Sequence, residues 1–320
     1  MKNKRNKFII ALMLFNLYSF FFLDQKSSAS DDIVIKADVV MALSHINNVP
    51  CKIKLIAWTY SGDIYFLTEN LDVTRKTKIP ELTIRNILQI SNRLLILADK
   101  NKKDAQVESV IIQYDIAEDK ETHRWWNPKY YIWSISAHGE TAVAMSSEGD
   151  MLECGEQGFQ AITKYPRKSH YLFAGSGDPI ICTASNLTKL QWKLPFCNRD
   201  GGYKWQRDGQ WENIAPPFLC NNYLIEKNKT LKNETAIINI ADISTGSKIA
   251  EHKVKSISNL NCVEPNIIYS SKSSIFVREL PDFKQINKVD TKSKTINSVT
   301  KAGNSIYYID ENRVVRRRNL

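Results

Sequence analysis

The sequence predicts an all-β chain: a single seven-bladed β-propeller of four-stranded antiparallel blades, its ring closed by an N-terminal strand. Three observations carry this reading. Strand–turn–strand signatures recur seven times, at intervals of roughly forty residues, the period of a repeat built from one small sheet. The runs are short, apolar and bounded by Gly, Asp, Asn and Ser. No Gly/Ser- or Pro-rich linker divides the chain, only Pro216-Pro217 inside the fourth repeat, which argues against a pair of β-sandwich domains.

The signatures supply the second and third strands of each blade. In order they are Leu55-Ile56-Ala57-Trp58 with Ile64-Tyr65-Phe66-Leu67, Leu94-Leu95-Ile96-Leu97 with Val110-Ile111-Ile112-Gln113, and Thr141-Ala142-Val143-Ala144 with Asp150-Met151-Leu152-Glu153. The fourth and fifth are Pro179-Ile180-Ile181-Cys182 with Lys189-Leu190-Gln191-Trp192, and Tyr223-Leu224-Ile225 with Ala236-Ile237-Ile238-Asn239. The last two are Asn266-Ile267-Ile268-Tyr269 with Ser274-Ile275-Phe276-Val277, and Ser305-Ile306-Tyr307-Tyr308 with Arg313-Val314-Val315-Arg316. Ser61-Gly62-Asp63 and Ser147-Glu148-Gly149-Asp150 offer the positive φ that tight hairpins need. Two connections, residues 99–109 and 226–235, read as long polar turns. Inner strands are expected at 86–90, 132–137, 170–174, 218–220, 257–262 and 296–300, and outer strands at 158–162, 211–214 and 283–286. Ile33-Val34-Ile35-Lys36 is an apolar run without a unit of its own, and it is expected to close the ring by joining the last blade, because an unpaired edge invites aggregation.

Asp242-Ile243-Ser244-Thr245-Gly246-Ser247-Lys248 and, more weakly, Asp115-Ile116-Ala117-Glu118-Asp119-Lys120 each reverse the chain ahead of an outer strand. These turns resemble those of WD40-like and quinoprotein-like (YVTN-type) propeller repeats. The Trp-Asp and Gly-His pairs of true WD40 repeats are absent, so the resemblance implies a fold and no activity.

Residues 1–29 read as a cleaved secretory signal peptide. Lys2, Lys4, Arg5 and Lys7 form a basic start, residues 8–23 a nearly unbroken apolar run, and Ser27 and Ala29 the small residues a signal peptidase needs. The run is short for a membrane span, and no Cys follows it to carry a lipid. Residues 30–320 then form the propeller. The leader accounts for a net +4 of the chain's formal +10. The modest surplus that stays, together with export, argues against a nucleic-acid partner. The cluster Arg313 and Arg316-Arg317-Arg318 reads first as charges on an edge strand.

Six Cys, an even number in an exported chain, suggest disulfides. Fifteen pairings are open. Cys197 with Cys220 is favoured, because the two bracket irregular sequence that a bridge would staple, and residues 195–208 read as a long, Gly-rich, aromatic insertion suited to recognition. Cys154 and Cys182 lie inside strand patterns and suit buried thiols.

No local motif names a reaction. G-x-S-x-G, P-loop and H-E-x-x-H patterns are absent, no C-x-x-C occurs, and the five His stand apart from one another. The expectation is therefore no cofactor, no metal and a binding role rather than catalysis, although carboxylates from different blades could converge. Two aromatic clusters suggest recognition: Trp125, Trp126, Tyr130, Tyr131 and Trp133, and Trp192, Tyr203, Trp205 and Trp211. Partner-binding candidates are Trp125, Trp126, Tyr130, Arg199, Tyr203, Lys204, Trp205 and Arg207.

The expected function is that of an exported, non-enzymatic propeller, periplasmic or secreted, which binds another protein in the cell envelope as an adaptor, inhibitor or immunity-type protein. The alternative is a carbohydrate-binding or carbohydrate-active propeller facing cell-wall glycans.

Overall fold

The computed structural model describes residues 40–46, 52–101, 107–126, 131–138, 141–147, 150–155, 158–164, 169–174, 180–186, 191–197, 203–210, 218–229 and 235–320. These residues form seven antiparallel sheets, numbered here in chain order. Sheet 1 comprises β1 (Val40–His45), β2 (Leu55–Thr59), β3 (Asp63–Leu67) and β4 (Val73–Lys78). Sheet 2 comprises β5 (Thr83–Ile90), β6 (Arg93–Asn101), β7 (Val107–Asp115) and β8 (Lys120–Trp126). Sheet 3 comprises β9 (Ile132–His138), β10 (Thr141–Ser146), β11 (Asp150–Gly155) and β12 (Gly158–Lys164). Sheet 4 comprises β13 (Ser169–Ala174), β14 (Ile180–Asn186), β15 (Gln191–Cys197) and β16 (Tyr203–Gln210). Sheet 5 comprises β17 (Phe218–Cys220), β18 (Tyr223–Lys229), β19 (Thr235–Asp242) and β20 (Lys248–Lys255). Sheet 6 comprises β21 (Leu260–Val263), β22 (Asn266–Ser271), β23 (Ser274–Glu279) and β24 (Lys284–Asp290). Sheet 7 has three strands, β25 (Ser298–Ala302), β26 (Ser305–Ile309) and β27 (Val315–Asn319).

The count of seven four-stranded blades is thereby corrected to six, followed by a three-stranded sheet, with no N-terminal strand on that last sheet among the described residues. Residues 33–36, expected to supply it, lie outside the described residues. The physical reason is that sheet 1 is complete from local sequence. Its inner strand is β1, a short run that sequence reading passed over, paired from Ala42 opposite Trp58 to His45 opposite Leu55.

Among the described residues the ring closes by packing of sheet faces. Leu43, Leu55, Ala57, Tyr65, Leu67 and Leu71 of sheet 1 and its loop bury against Ala302, Tyr307, Ile309 and Val315 of sheet 7. Tyr307 donates its hydroxyl to the Glu69 carbonyl at 2.6 Å, and Arg317 reaches the Asn70 side-chain oxygen at 2.5 Å. Similar cores join sheet 1 to sheet 2, sheet 2 to sheet 3, sheet 5 to sheet 6 and sheet 6 to sheet 7. Inner strands of sheets 3 and 4, and of 4 and 5, are also in contact.

Burial explains the strand chemistry. Middle strands such as β2, β3 and β26 are covered on both faces by neighbouring sheets, so every residue is buried and the sequence reads as an apolar run with one polar residue, Thr59, Asp63 or Ser305, at its end. Outer strands such as β4 and β20 alternate between exposed and half-buried residues and carry the Lys and Arg. At the junction of sheets 1 and 2, Arg75 of β4 lies 4.2 Å from the Phe66 ring centre and pairs with Asp119 at 3.0 Å.

One capping device recurs in three sheets. A side-chain oxygen at the end of a middle strand accepts the backbone N–H four residues on: Thr59 from Asp63 at 3.1 Å, Ser146 from Asp150 at 3.0 Å, Asp310 from Val314 at 2.9 Å. In the first of these turns Gly62 has φ +89°, and a Cβ there would stand 2.3 Å from the Ile79 carbonyl oxygen, so only glycine fits.

Three further expectations change. The supposed irregular insertion at 195–208 is mostly ladder: β15 and β16 pair from Gln191 opposite Gln210 to Cys197 opposite Tyr203. The outer strand of sheet 4 is therefore β16, and residues 211–214 lie outside the described residues. The polar connections at 99–109 and 226–235 also extend strands, with Lys100 opposite Glu108 and Asn228 opposite Ile237. Polar composition misled there because hydrogen bonding along a hairpin does not need apolar side chains.

Candidate binding cavity lined by the inner strands

The inner strands converge on a cavity of about 800 Å³, lined by residues of β1, β5, β21 and β25 together with Leu219 of β17. Its polar wall includes Ser44, His45, Arg85, Asn86, Asn261 and Lys301. The placement follows from strand order. In each sheet the first strand is the innermost, so its side chains meet those of the other sheets' first strands even though the chain separates them widely.

Several of these groups are committed to holding the ring. Arg85 of β5 pairs with Asp99 at 2.9 Å, donates to the Ile132 carbonyl of sheet 3 at 2.5 Å and lies 4.7 Å from the Tyr131 ring centre. Burial raises the Asp99 carboxyl above its ordinary value, against the opposing pull of Arg85. Asn261 donates to the Val299 carbonyl at 2.7 Å, tying sheet 6 to sheet 7. Glu264 accepts the Asn221 N–H at 3.3 Å.

His45 differs. Burial lowers its imidazole below the ordinary value, and the positive charges of Lys54 and Lys301 lower it further. The imidazole is therefore neutral near pH 7, in a basic neighbourhood.

A disulfide forms part of the same wall. Cys220 of β17 and Cys262 of β21 are bonded, with Cα atoms 5.3 Å apart, and Cys262 lines the cavity. This corrects the expected Cys197–Cys220 pair. Cys197 stands on β15, in sheet 4, whereas Cys220 and Cys262 stand on the inner strands of adjacent sheets. Their sequence separation of 42 is one repeat, a clue that was available in the spacing. Cys154 and Cys182 stand on β11 and β14 as strand residues.

The sequence-derived binding candidates do not gather at this cavity. Trp125 and Trp126 both lie on β8, the outer strand of sheet 2. Their side chains take opposite faces, as adjacent strand residues must. Trp125 is half-buried against the core shared with sheet 3, while Trp126 is 46% exposed with the Lys100 ammonium 4.7 Å from its ring. Tyr203, Lys204, Trp205 and Arg207 are backbone members of β16, and their side chains lie outside the described residues, as do Tyr130 and Arg199. Sequence reading set His45 aside as an isolated histidine. Its neighbours come from strands at opposite ends of the chain, and no local pattern announces them. Among the described residues no group of three or more His, Cys, Asp and Glu side chains could hold a metal ion.

With six four-stranded blades and this strand order, the fold is a WD40-like, quinoprotein-like β-propeller. The β-propeller domain of Cps50 (Swd1) from Myceliophteria thermophila is similar at TM-score 0.66 and 11% identity, over 90% of this chain and 98% of that one. A chain of the mitotic checkpoint complex matches at TM-score 0.62 and 7% identity, covering 94% and 98%. BamB from Moraxella catarrhalis matches at TM-score 0.53 and 10% identity, covering 90% and 100%. At these identities the likeness is one of fold. No family model matches the chain, and no curated protein sequence does.

Proposed function

We propose that the protein is an exported, non-enzymatic propeller that binds another protein in the cell envelope, as an adaptor, inhibitor or immunity-type protein. The observation that carries the reading is the inner-strand cavity. Its Arg and Asn side chains are tied to backbone carbonyls of neighbouring sheets, so a rigid polar concavity is presented. A similar fold occurs in a chain of the mitotic checkpoint complex, which supports protein binding as one use of this fold. Export rests on the leader: a basic start, an apolar run and Ala29 at the cleavage position.

The test has two parts. N-terminal sequencing of protein recovered outside the cytoplasm should begin at Ser30; a chain that keeps Met1 and stays in the cytoplasm overturns the address. Crosslinking of the mature chain in envelope extracts, followed by size measurement of the purified product, should give a defined stoichiometric complex with one protein. Retention by cell-wall glycan with no such complex would favour the carbohydrate reading instead.

A further inference from the structure

The cavity's charges are unevenly matched. Arg85 has Asp99, and Glu264 is engaged by the Asn221 amide. Glu69, close by at Gly303, is turned to Arg317 at 3.9 Å. On the wall formed by β1 and β25 the balance is different. His45 ends β1, Lys54 stands just ahead of β2, and Lys301 lies on β25. Lys54 and Lys301 both act on the His45 imidazole. Among the described residues no ion pair reaches any of the three side chains. Sheet 1 holds Lys54 beside His45, and closure of the ring brings Lys301 to the same imidazole. The two ammonium groups oppose its protonation, and an anion placed among the three would offset that opposition.

We propose that this wall of the cavity is an anion subsite, and that it takes a carboxylate from an acidic segment of the partner protein. The assignment rests on the protein-binding reading given above. Lys301 supplies a charge-assisted hydrogen bond from within the cavity, and Lys54, which is exposed, extends the positive field outward to guide the segment in. His45 becomes a second donor once protonated. A bound carboxylate favours the charged imidazole, so binding and protonation strengthen each other, and affinity rises as pH falls through the histidine range. The attraction weakens with added salt.

The experiment uses the purified mature chain and a capped hexaglutamate peptide, with capped hexaglutamine and inorganic phosphate as comparators. The His45 ring proton signal is followed by NMR during pH titration. Hexaglutamate is expected to raise the His45 titration midpoint, and hexaglutamine to leave it in place. Lys301→Gln is expected to weaken hexaglutamate binding by about ten-fold, the worth of one hydrogen bond to a charged group. Lys54→Gln, at an exposed position that folding tolerates, is expected to weaken it less and to slow association. The proposal is overturned if hexaglutamate leaves the His45 midpoint unmoved, if both peptides act alike, or if Lys301→Gln binds as the parent does. A midpoint that responds to phosphate but not to hexaglutamate overturns the peptide assignment. A protein partner captured equally well by Lys301→Gln overturns the subsite while leaving the protein-binding reading intact. Hexaglutamate binding at His45 with no envelope partner supports the subsite and counts against that reading.

Discussion

Two junctions between sheets, one closing the ring and one stapled by a disulfide, show how the same architecture is held by different means. Where sheet 7 meets sheet 1, the contacts join the two ends of the chain: Leu43 N–H to the Ser298 hydroxyl, Tyr307 to Glu69, Arg317 to Asn70. Nothing covalent holds it among the described residues. A core of ten buried residues does the work, with Tyr307 fully enclosed. Where sheet 5 meets sheet 6, the partners are one repeat apart, and Cys220–Cys262 ties the inner strands directly. Sheet 5 enters this junction through its shortest strand, the three-residue β17. The contrast teaches that closure over the whole chain is left to buried area, while the covalent staple reinforces a junction whose inner strand is too short to contribute much of its own.

The largest expected effect is at the closure. Tyr307→Ala should cost about 3–5 kcal/mol in urea unfolding, because it leaves a cavity in a core that cannot collapse easily. Tyr307→Phe should cost only about 1 kcal/mol, the worth of the hydrogen bond to Glu69. Equal costs for the two would mean that the junction is held by the hydroxyl and not by packing.

Next comes the staple. Replacing Cys220 and Cys262 together by Ala should lower stability by about 4 kcal/mol, the loop-closure value for their separation of 42, and raise the urea slope, because the unfolded chain without the crosslink exposes more surface. A double variant as stable as the parent under non-reducing conditions would show that packing of sheets 5 and 6 suffices.

Arg317→Gln should cost less, about 0.5–1 kcal/mol, since that guanidinium is partly exposed and its contact with Asn70 competes with water. A loss comparable with that of Tyr307→Ala would move the weight of closure from the core to its rim.

The smallest effect is the dependence on pH. His45 has a folded-state value below its ordinary one, so on acidification the unfolded chain takes up a proton before the folded chain does. Stability therefore falls as pH drops through about 6.5 toward the folded value. His252 acts in the same direction, lowered by burial first and by Arg278 second. His45→Gln should flatten part of this slope between about pH 7 and 5 in thermal melts. A slope unchanged in His45→Gln would place the titration entirely elsewhere.

Much of this was legible beforehand, for a definite reason. Middle strands are buried on both faces, so Leu55–Thr59 and Ser305–Ile309 are apolar except at one end, Thr59 and Ser305, and betrayed themselves. Turns such as Ser61-Gly62-Asp63 were legible because positive φ and side-chain capping restrict the residue choice. Inner strands carried a weaker mark. They face a polar cavity on one side, so β1 was missed, and the N-terminal strand expected on sheet 7 is absent among the described residues. The basic wall of the cavity left no trace at all in sequence.

The sequence by itself determined the repeat, the strand order within each sheet and the all-β character, because burial and turn geometry act over a few residues at a time. Only the tertiary structure decided the number of complete blades, the partner of Cys220 and the meeting of His45, Lys54 and Lys301. Those outcomes depend on which repeats become neighbours when the ring shuts, and that is settled by packing between segments far apart in the chain.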